Sequence, residues 1–328
     1  MVSGYDPSGL VWFNGEMLPW SSARLHLMSK GLQYSVSVFE GLRAYDGTLG
    51  LAIFRLQDHT RRLLRSAEVL GIDLPYSEQM LCDAQLQVVA EAGECYLRPT
   101  VFLGSGEPGL SCSADVQVAI AAWPWPLQMG GREAKLVLSS YRRTFAGRDL
   151  AFAKASANYM PARLALREAK AAGFDDAVLL DESGLVSEAT TSNIFVVQGG
   201  CVRTPSPGSA LDGITRSTLI TILRGHGIRV EECELTPSDL READEVFLSG
   251  TACEVLPVSR FEDRELPGSA GAMVCTAMAA YSAAVRGRSN LAEEWLTPCR
   301  PASDRTADLA SCRVHQADAP APQPLTIS

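Results

Sequence analysis

Short apolar runs bounded by turn residues alternate along this chain with stretches whose apolar positions recur at helical spacing. Val11-Trp12-Phe13 ahead of Asn14-Gly15 predicts a strand and a tight turn, and Asp58 to Ala67 predicts a helix with one apolar face. Tyr96 to Leu103 and Val116 to Ala122 read as core strands. The turn-rich stretch from Trp123 to Gly131 then breaks the pattern and predicts an interdomain linker. Beyond it the reading is a helix from about Asn158 to Ala172, a strand Ala177 to Leu180, a turn Asp181 to Gly184 and a strand Asn193 to Val197. Helices near 215–226, 238–243 and 270–285 and a strand Glu245 to Leu248 complete it. From Thr297 the chain turns to Pro, Ala, Asp and Arg with few large apolar residues; such a tail is expected to stay disordered, because it cannot bury enough surface to offset chain entropy. No internal repeat is visible. The pattern predicts an α/β (α+β) protein with a small N-terminal domain at 1–124, a linker at 125–134, a larger domain at 135–296 and the tail at 297–328.

With 328 residues, 46% of them hydrophobic, the chain is long enough for a sizeable core. A net charge of -9 argues against a nucleic-acid or anionic-membrane surface, since no basic excess exists to neutralise phosphates. The start has no basic segment followed by a long apolar run, and no later window approaches a membrane span, so a cytoplasmic protein is expected. Nine cysteines without a C-x-x-C pair suggest neither a disulfide framework nor a zinc ribbon. The histidines at 26, 59, 226 and 315 lack ligand spacing, and no metal site is expected.

Lysine occurs only at positions 30, 135, 154 and 170, so a plain positive charge is nearly always arginine here. Lys154 stands among alanines in AFAKASANYM. An amine that attacks a carbonyl must be neutral at that moment, which apolar surroundings favour, and Ala153, Ala155 and Ala157 leave room for a flat aldehyde. A lone lysine near a helix start equally serves as a solvated side chain. Leu211 to Ile220 is a glycine turn feeding a helix whose first N–H groups, at Ile214 and Thr215, suit a phosphate. Ser249-Gly250-Thr251-Ala252 offers a second glycine turn, and Glu188 lies ahead of the small polar residues 189–192, where a carboxylate is either exposed or paired with a ring nitrogen.

In order, the blocks WFNGEM, YSVSVFEGLRAY, FRLQDHTRRL, YLRP, AAWPWP, SSYRR, AKASANY, SEATTSNIF, LDGITR, ADEVFLSGTACE and a final Trp295-Leu296 resemble the class IV (fold-type IV) pyridoxal-phosphate aminotransferases, most closely the branched-chain subgroup. The resemblance runs from about Val11 to Leu296. It implies two α/β domains with pyridoxal 5′-phosphate between them, and amino-group exchange between L-glutamate and a branched-chain or related aliphatic 2-oxo acid. It also implies that Lys154 is the Schiff-base lysine and proton shuttle, Tyr159 the phenol at the cofactor's 3′-oxygen, and Glu188 the partner of the pyridine nitrogen. Arg62, Ile214, Thr215 and Thr251 match the phosphate cup. Phe39, Tyr96, Arg98 and Trp125 match the substrate pocket, Ala252 with Thr251 the turn for the α-carboxylate, and Tyr34 a residue reaching the partner site of a homodimer or larger homo-oligomer. Within that frame Arg98 helps accept glutamate's distal carboxylate.

This sequence departs from the family at Gln128, where bacterial branched-chain enzymes commonly carry tyrosine, and in the short stretch 107–113. Both bear on the side chain handled and leave the chemistry untouched. The other readings are a D-amino acid aminotransferase, an aminodeoxychorismate lyase, a specialised-pathway aminotransferase, or a silent binding protein that keeps the fold; Tyr96-x-Arg98 favours the branched-chain subgroup, and intact Lys154, Glu188 and Arg62 favour catalysis.

Overall fold

At Asn14-Gly15 the backbone takes positive φ at both residues, 51° and 101°, the conformation a two-residue hairpin turn needs, and Phe13 pairs with Glu16 across it. The computed structural model describes residues 9–299 apart from 107–108, 110–113, 126–132, 144–148 and 209. Its first half runs β1 (Leu10–Phe13), β2 (Glu16–Pro19), α1 (Lys30–Tyr34), β3 (Ser37–Phe39), β4 (Leu42–Gly47), β5 (Gly50–Phe54), α2 (Leu56–Val69), α3 (Glu78–Ala92), β6 (Cys95–Gly106) and β7 (Ala114–Trp123). The second runs β8 (Ala134–Arg142), α4 (Tyr159–Ala171), β9 (Asp176–Leu180), β10 (Val186–Ala189), β11 (Asn193–Gln198), β12 (Cys201–Pro205), α5 (Ile214–Gly225), β13 (Val230–Cys233), α6 (Pro237–Arg241), β14 (Glu245–Gly250), β15 (Glu254–Phe261), β16 (Arg264–Glu265), α7 (Ala272–Val285), α8 (Ala292–Trp295) and β17 (Leu296–Pro298).

The first sheet has the order β17-β5-β4-β6-β7-β1-β2, with β3 paired to β6, and its ladders are antiparallel. The second has the order β10-β9-β8-β15-β14-β11-β12-β13 and is mixed. Two of its three parallel pairs among the described residues, β8·β9 and β12·β13, join strands linked by a single crossover, and α4 and α5 supply these. That topology matters for chemistry. The connection leaving β8 carries Lys154 into α4, and the connection leaving β12 delivers the N-terminus of α5, so two crossover loops converge where open α/β sheets place their ligands.

One core lies between the first sheet and α2 and α3, around Leu42, Ile53, Leu63, Val88 and Leu97. A second joins the two halves: Tyr45 and Phe54 of the first sheet pack with Leu219, Phe247, Tyr281 and Trp295 of the second half. The rings of Phe195 and Phe247 stack there at 4.8 Å. The expected tail begins too early. Thr297 and Pro298 pair with Ile53 and Ala52, and the Cys299 N–H donates to the Leu51 carbonyl at 2.8 Å. An open strand edge orders such residues through backbone hydrogen bonds, which side-chain composition does not announce. Residues 300–328 lie outside the described ones.

Candidate active site

The alanines around Lys154 belong to the core of the first half. Ala153 and Ala155 are buried there, while the Lys154 N–H donates to Ser66 Oγ at 3.0 Å and its carbonyl accepts the Phe39 N–H at 3.1 Å. Held through its own N–H and carbonyl, the residue sends its side chain into a cavity of about 510 Å³ between the two halves. Its Nζ donates to the Tyr159 hydroxyl at 2.7 Å and lies 5.1 Å from the Phe39 ring centroid. Of the site residues expected from sequence, all but Tyr34 and Gln128 line this cavity. Gln128 lies outside the described residues, and Tyr34, at the end of α1, is 48% exposed and away from the cavity of its own chain.

At one end, α5 presents its first turn, with Ile214 and Thr215 on the wall. Gly213 caps it; a Cβ there would fall onto the Asn193 amide oxygen, and Asn193 in turn donates to the Leu211 carbonyl at 2.8 Å, pinning the turn. Arg62 completes this end from α2. Its Nε and Nη2 bond the two Glu40 oxygens at 2.5 and 2.9 Å, and Nη1 bonds the Asp212 carbonyl at 2.7 Å. A guanidinium has five N–H donors, so two remain for an anion.

Glu40 was not foreseen from sequence, nor was His59, whose Nδ1 lies 2.7 Å from Glu40 Oε2. Burial alone would push the Glu40 carboxyl up, but Arg62 and His59 together hold it well below the usual carboxylate range. Burial pushes the His59 imidazole down in spite of Glu40 beside it. A neutral His59 facing an ionised carboxylate must carry its proton on Nδ1 and donate it. The signal available was a lone carboxylate between apolar neighbours in Val38-Phe39-Glu40-Gly41-Leu42 and a histidine one turn before Arg62's face; nothing local says the two meet.

At the other end stands Glu188. The ladder of β10 with β9 shifts register between Val186 and Glu188, and this bulge re-aims the strand so that Glu188 faces the cavity. Arg143, behind it, places Nε 2.8 Å from Oε1 and Nη1 2.6 Å from the Asn158 carbonyl, while the Leu211 N–H donates to Oε2 at 3.1 Å. Arg143 too escaped the sequence reading, since the arginine pair in SSYRR does not disclose which member turns inward.

The remaining wall is aromatic. Tyr96 lies 5.3 Å from both Trp123 and Trp125, and Trp125 Nε1 donates to the Ala252 carbonyl at 3.2 Å. Arg98 donates to the Tyr96 hydroxyl at 3.0 Å, with its guanidinium carbon 4.7 Å from the Phe39 centroid. Thr251 and Ala252 line the wall after β14, and Ser249 Oγ, fully buried on that strand, has no hydrogen-bond partner among the described residues. An amine, an anion cup, a facing carboxylate and an apolar wall with one cation thus share one cavity.

The model of the family "Amino-transferase class IV" matches residues 37–261, more than half the chain. The chain belongs to the class IV aminotransferases. Among relatives of this aminotransferase, the branched-chain-amino-acid aminotransferase of Pseudomonas aeruginosa is 38% identical over 304 residues, covering 90% of this chain and 99% of the relative. The solved branched-chain aminotransferase of Thermoproteus uzoniensis with norvaline superposes with a TM-score of 0.85 at 34% identity, covering 89% and 100% of the two chains. A solved T.th. branched-chain amino acid aminotransferase complexed with N-(5′-phosphopyridoxyl)-L-glutamate gives 0.82 at 38% identity, with 89% and 99% covered. The fold is therefore the two-part α/β fold of type IV enzymes. Among the described residues, no helix is long and apolar enough to cross a membrane.

Proposed function

We propose that this enzyme uses pyridoxal 5′-phosphate to exchange an amino group between L-glutamate and a branched-chain or related aliphatic 2-oxo acid. The observation that carries the reading is the position of Lys154 Nζ in one cavity between an anion cup at Arg62 and α5 and a carboxylate at Glu188. The cavity fits that cofactor: the cup has two uncommitted guanidinium N–H groups, and Ser249 Oγ awaits a partner. When bound, the cofactor supplies a reactive aldehyde carbon and a ring over which negative charge from the substrate Cα spreads. Arg62, the Ile214 N–H and the hydroxyls of Thr215 and Thr251 hold its phosphate. Glu188 holds a proton on its ring nitrogen, and Arg143 orients Glu188. Tyr159 Oη steadies Lys154 Nζ, which takes the proton from the substrate Cα and returns it.

The substrate wall supports the dual specificity. Phe39, Tyr96 and Trp125 offer apolar area to an aliphatic side chain, and Arg98 among them offers a charge to glutamate's distal carboxylate. Ala252 with Thr251 receives the α-carboxylate. Gln128 is proposed at the pocket mouth, where it tunes the aliphatic side chain accepted. Leu27, Met28, Leu32 and Tyr34 are exposed apolar neighbours, which supports a homodimer whose Tyr34 reaches the partner site. The seven free cysteines among the described residues suit the reducing cytoplasm.

The test is chemical. Borohydride reduction of the yellow protein is expected to fix a phosphopyridoxyl mass on the peptide containing Lys154, and Lys154→Ala to lower transamination by at least about a thousandfold. A label on a different lysine overturns the assignment. In a panel of amino donors, L-glutamate with 2-oxoisocaproate should react and D-alanine should not; the reverse preference would move the protein to the D-amino acid branch of the family.

A further inference from the structure

Beside Arg62, in a recess that Lys154 does not line, is a second cavity of about 260 Å³. In a chain of net charge -9, its lining is unusual: Arg55, Arg61, Arg62 and Arg65 face it against Asp58 and Asp212, together with the first turns of α5. Of the two carboxylates, Asp58 is engaged, and Asp212 is 60% exposed to screening water. Asp58 is held by Arg55 Nε at 2.5 Å, and Asp212 lies 3.8 Å from Arg216. Arg55 is fixed as well, its Nη1 donating to Thr218 Oγ1 at 3.0 Å and its guanidinium carbon 5.3 Å from the Trp295 ring centroid. Arg61 and Arg65 sit one turn apart on α2. Arg61 meets Glu78 at 2.9 Å in a pair whose side chains are 57% and 36% exposed, so water screens it. Arg65 is exposed and has no ion pair among the described residues.

We infer that this outer cavity is a second anion site, which takes a small phosphate-bearing anion of at least two charges. The chemistry favours a phosphate oxyanion over a carboxylate or a halide, because several guanidinium forks converge on a polar recess and each offers paired N–H donors to tetrahedral oxygens. Arg62 lines both cavities, yet its N–H groups are committed to Glu40, the Asp212 carbonyl and the inner cup. The outer site does not depend on what the inner cup holds. Arg55, Arg61 and Arg65 hold the outer ligand, and none of them lines the cavity of Lys154.

Calorimetric titration of the cofactor-saturated, desalted enzyme with sodium pyrophosphate tests it, with sodium glycerol phosphate as the ester arm and sodium chloride at equal ionic strength as control. One saturable site per chain is expected for at least one phosphate probe, and the stronger arm distinguishes a free polyanion from a phosphate ester. Arg61→Gln with Arg65→Gln should weaken that binding at least tenfold, while Arg61→Lys with Arg65→Lys should retain part of it and transamination should stay unchanged in both. Equal affinity in the glutamine variant, or heats no larger than those of chloride, would overturn the inference. Loss of binding in the glutamine variant with borohydride labelling of Lys154 intact separates this site from the inner one.

Discussion

Glu40–Arg62 and Glu188–Arg143 are the same kind of buried pair turned opposite ways. In the first, the carboxylate is buried behind and the guanidinium lines the cavity; in the second, the guanidinium stands behind and the carboxylate lines it. Which partner is hidden decides the sign of the group presented. One end thus offers a cation and helix N–H groups, suited to an anion, and the other offers a carboxylate, suited to a cationic group. Taking two charges out of water costs about as much as their attraction returns, so such pairs contribute little net stability. Their worth lies in holding each facing group in place before a ligand arrives.

The comparison breaks most visibly under crossed substitutions. Glu188→Gln is expected to lower kcat about a hundredfold, the scale of one lost electrostatic contact to developing charge, with cofactor affinity nearly unchanged. Glu40→Gln should do the reverse: it leaves kcat at saturating cofactor nearly unchanged and raises the cofactor Kd about tenfold, since a loosened Arg62 loses part of a charge-assisted contact. Single-turnover rates and cofactor titration read the two effects. If both variants change the same quantity, the two ends are not built for different tasks.

A smaller effect follows from pH and belongs to the Glu40 end. His59 is lowered from 6.5, so on acidification the unfolded chain takes up a proton before the folded one does. Its contribution to stability is complete above pH 6.5 and is lost as pH falls through the lowered folded value. Glu40 is lowered from 4.5, and its contribution is complete above pH 4.5 and is lost as pH falls further toward its folded value. Urea unfolding should therefore show a plateau above about pH 6.5 and a two-stage decline below it, with a slope near 1.4 kcal/mol per pH unit where one proton is taken up. His59→Gln should remove the first stage and, by taking away one of the two partners that lower Glu40, shrink the second; a curve identical to wild type would place the titration elsewhere.

The smallest effect tests the scaffold common to both ends. A chain ending at Leu296 lacks most of β17 and should melt about 2–4 °C below one ending at Cys299, as about 1 kcal/mol of edge pairing is lost. Equal melting temperatures would mean that the β17 ladder adds nothing to the sheet.

Much of the fold was legible locally. The helix expected near 158–172 is α4, that near 215–226 is α5, and the strands at 96–103 and 116–122 are the central parts of β6 and β7, because periodicity and turn chemistry act over a few residues. The expectation for Thr297 and Pro298 failed because a strand edge from far earlier in the chain orders them. At the candidate site, residues that stand in recognisable blocks could be named one by one, whereas Glu40, His59 and Arg143 act through partners in other blocks.

By itself, then, the sequence determined which chemical groups are present and the local shapes that carry them: a lysine among alanines, a glycine turn before a helix, a carboxylate ahead of a buried strand. Only the tertiary structure decided which way those groups face. Lys154 enters the cavity because Ala153 and Ala155 are taken by the core and its backbone is bonded to Ser66 and Phe39. Glu188 faces inward through a bulge, and Arg62 does so because Glu40 holds it from behind. Composition and periodicity are properties of neighbours along the chain, while the sign and direction of charge in a cavity depend on which distant partner is buried beside it.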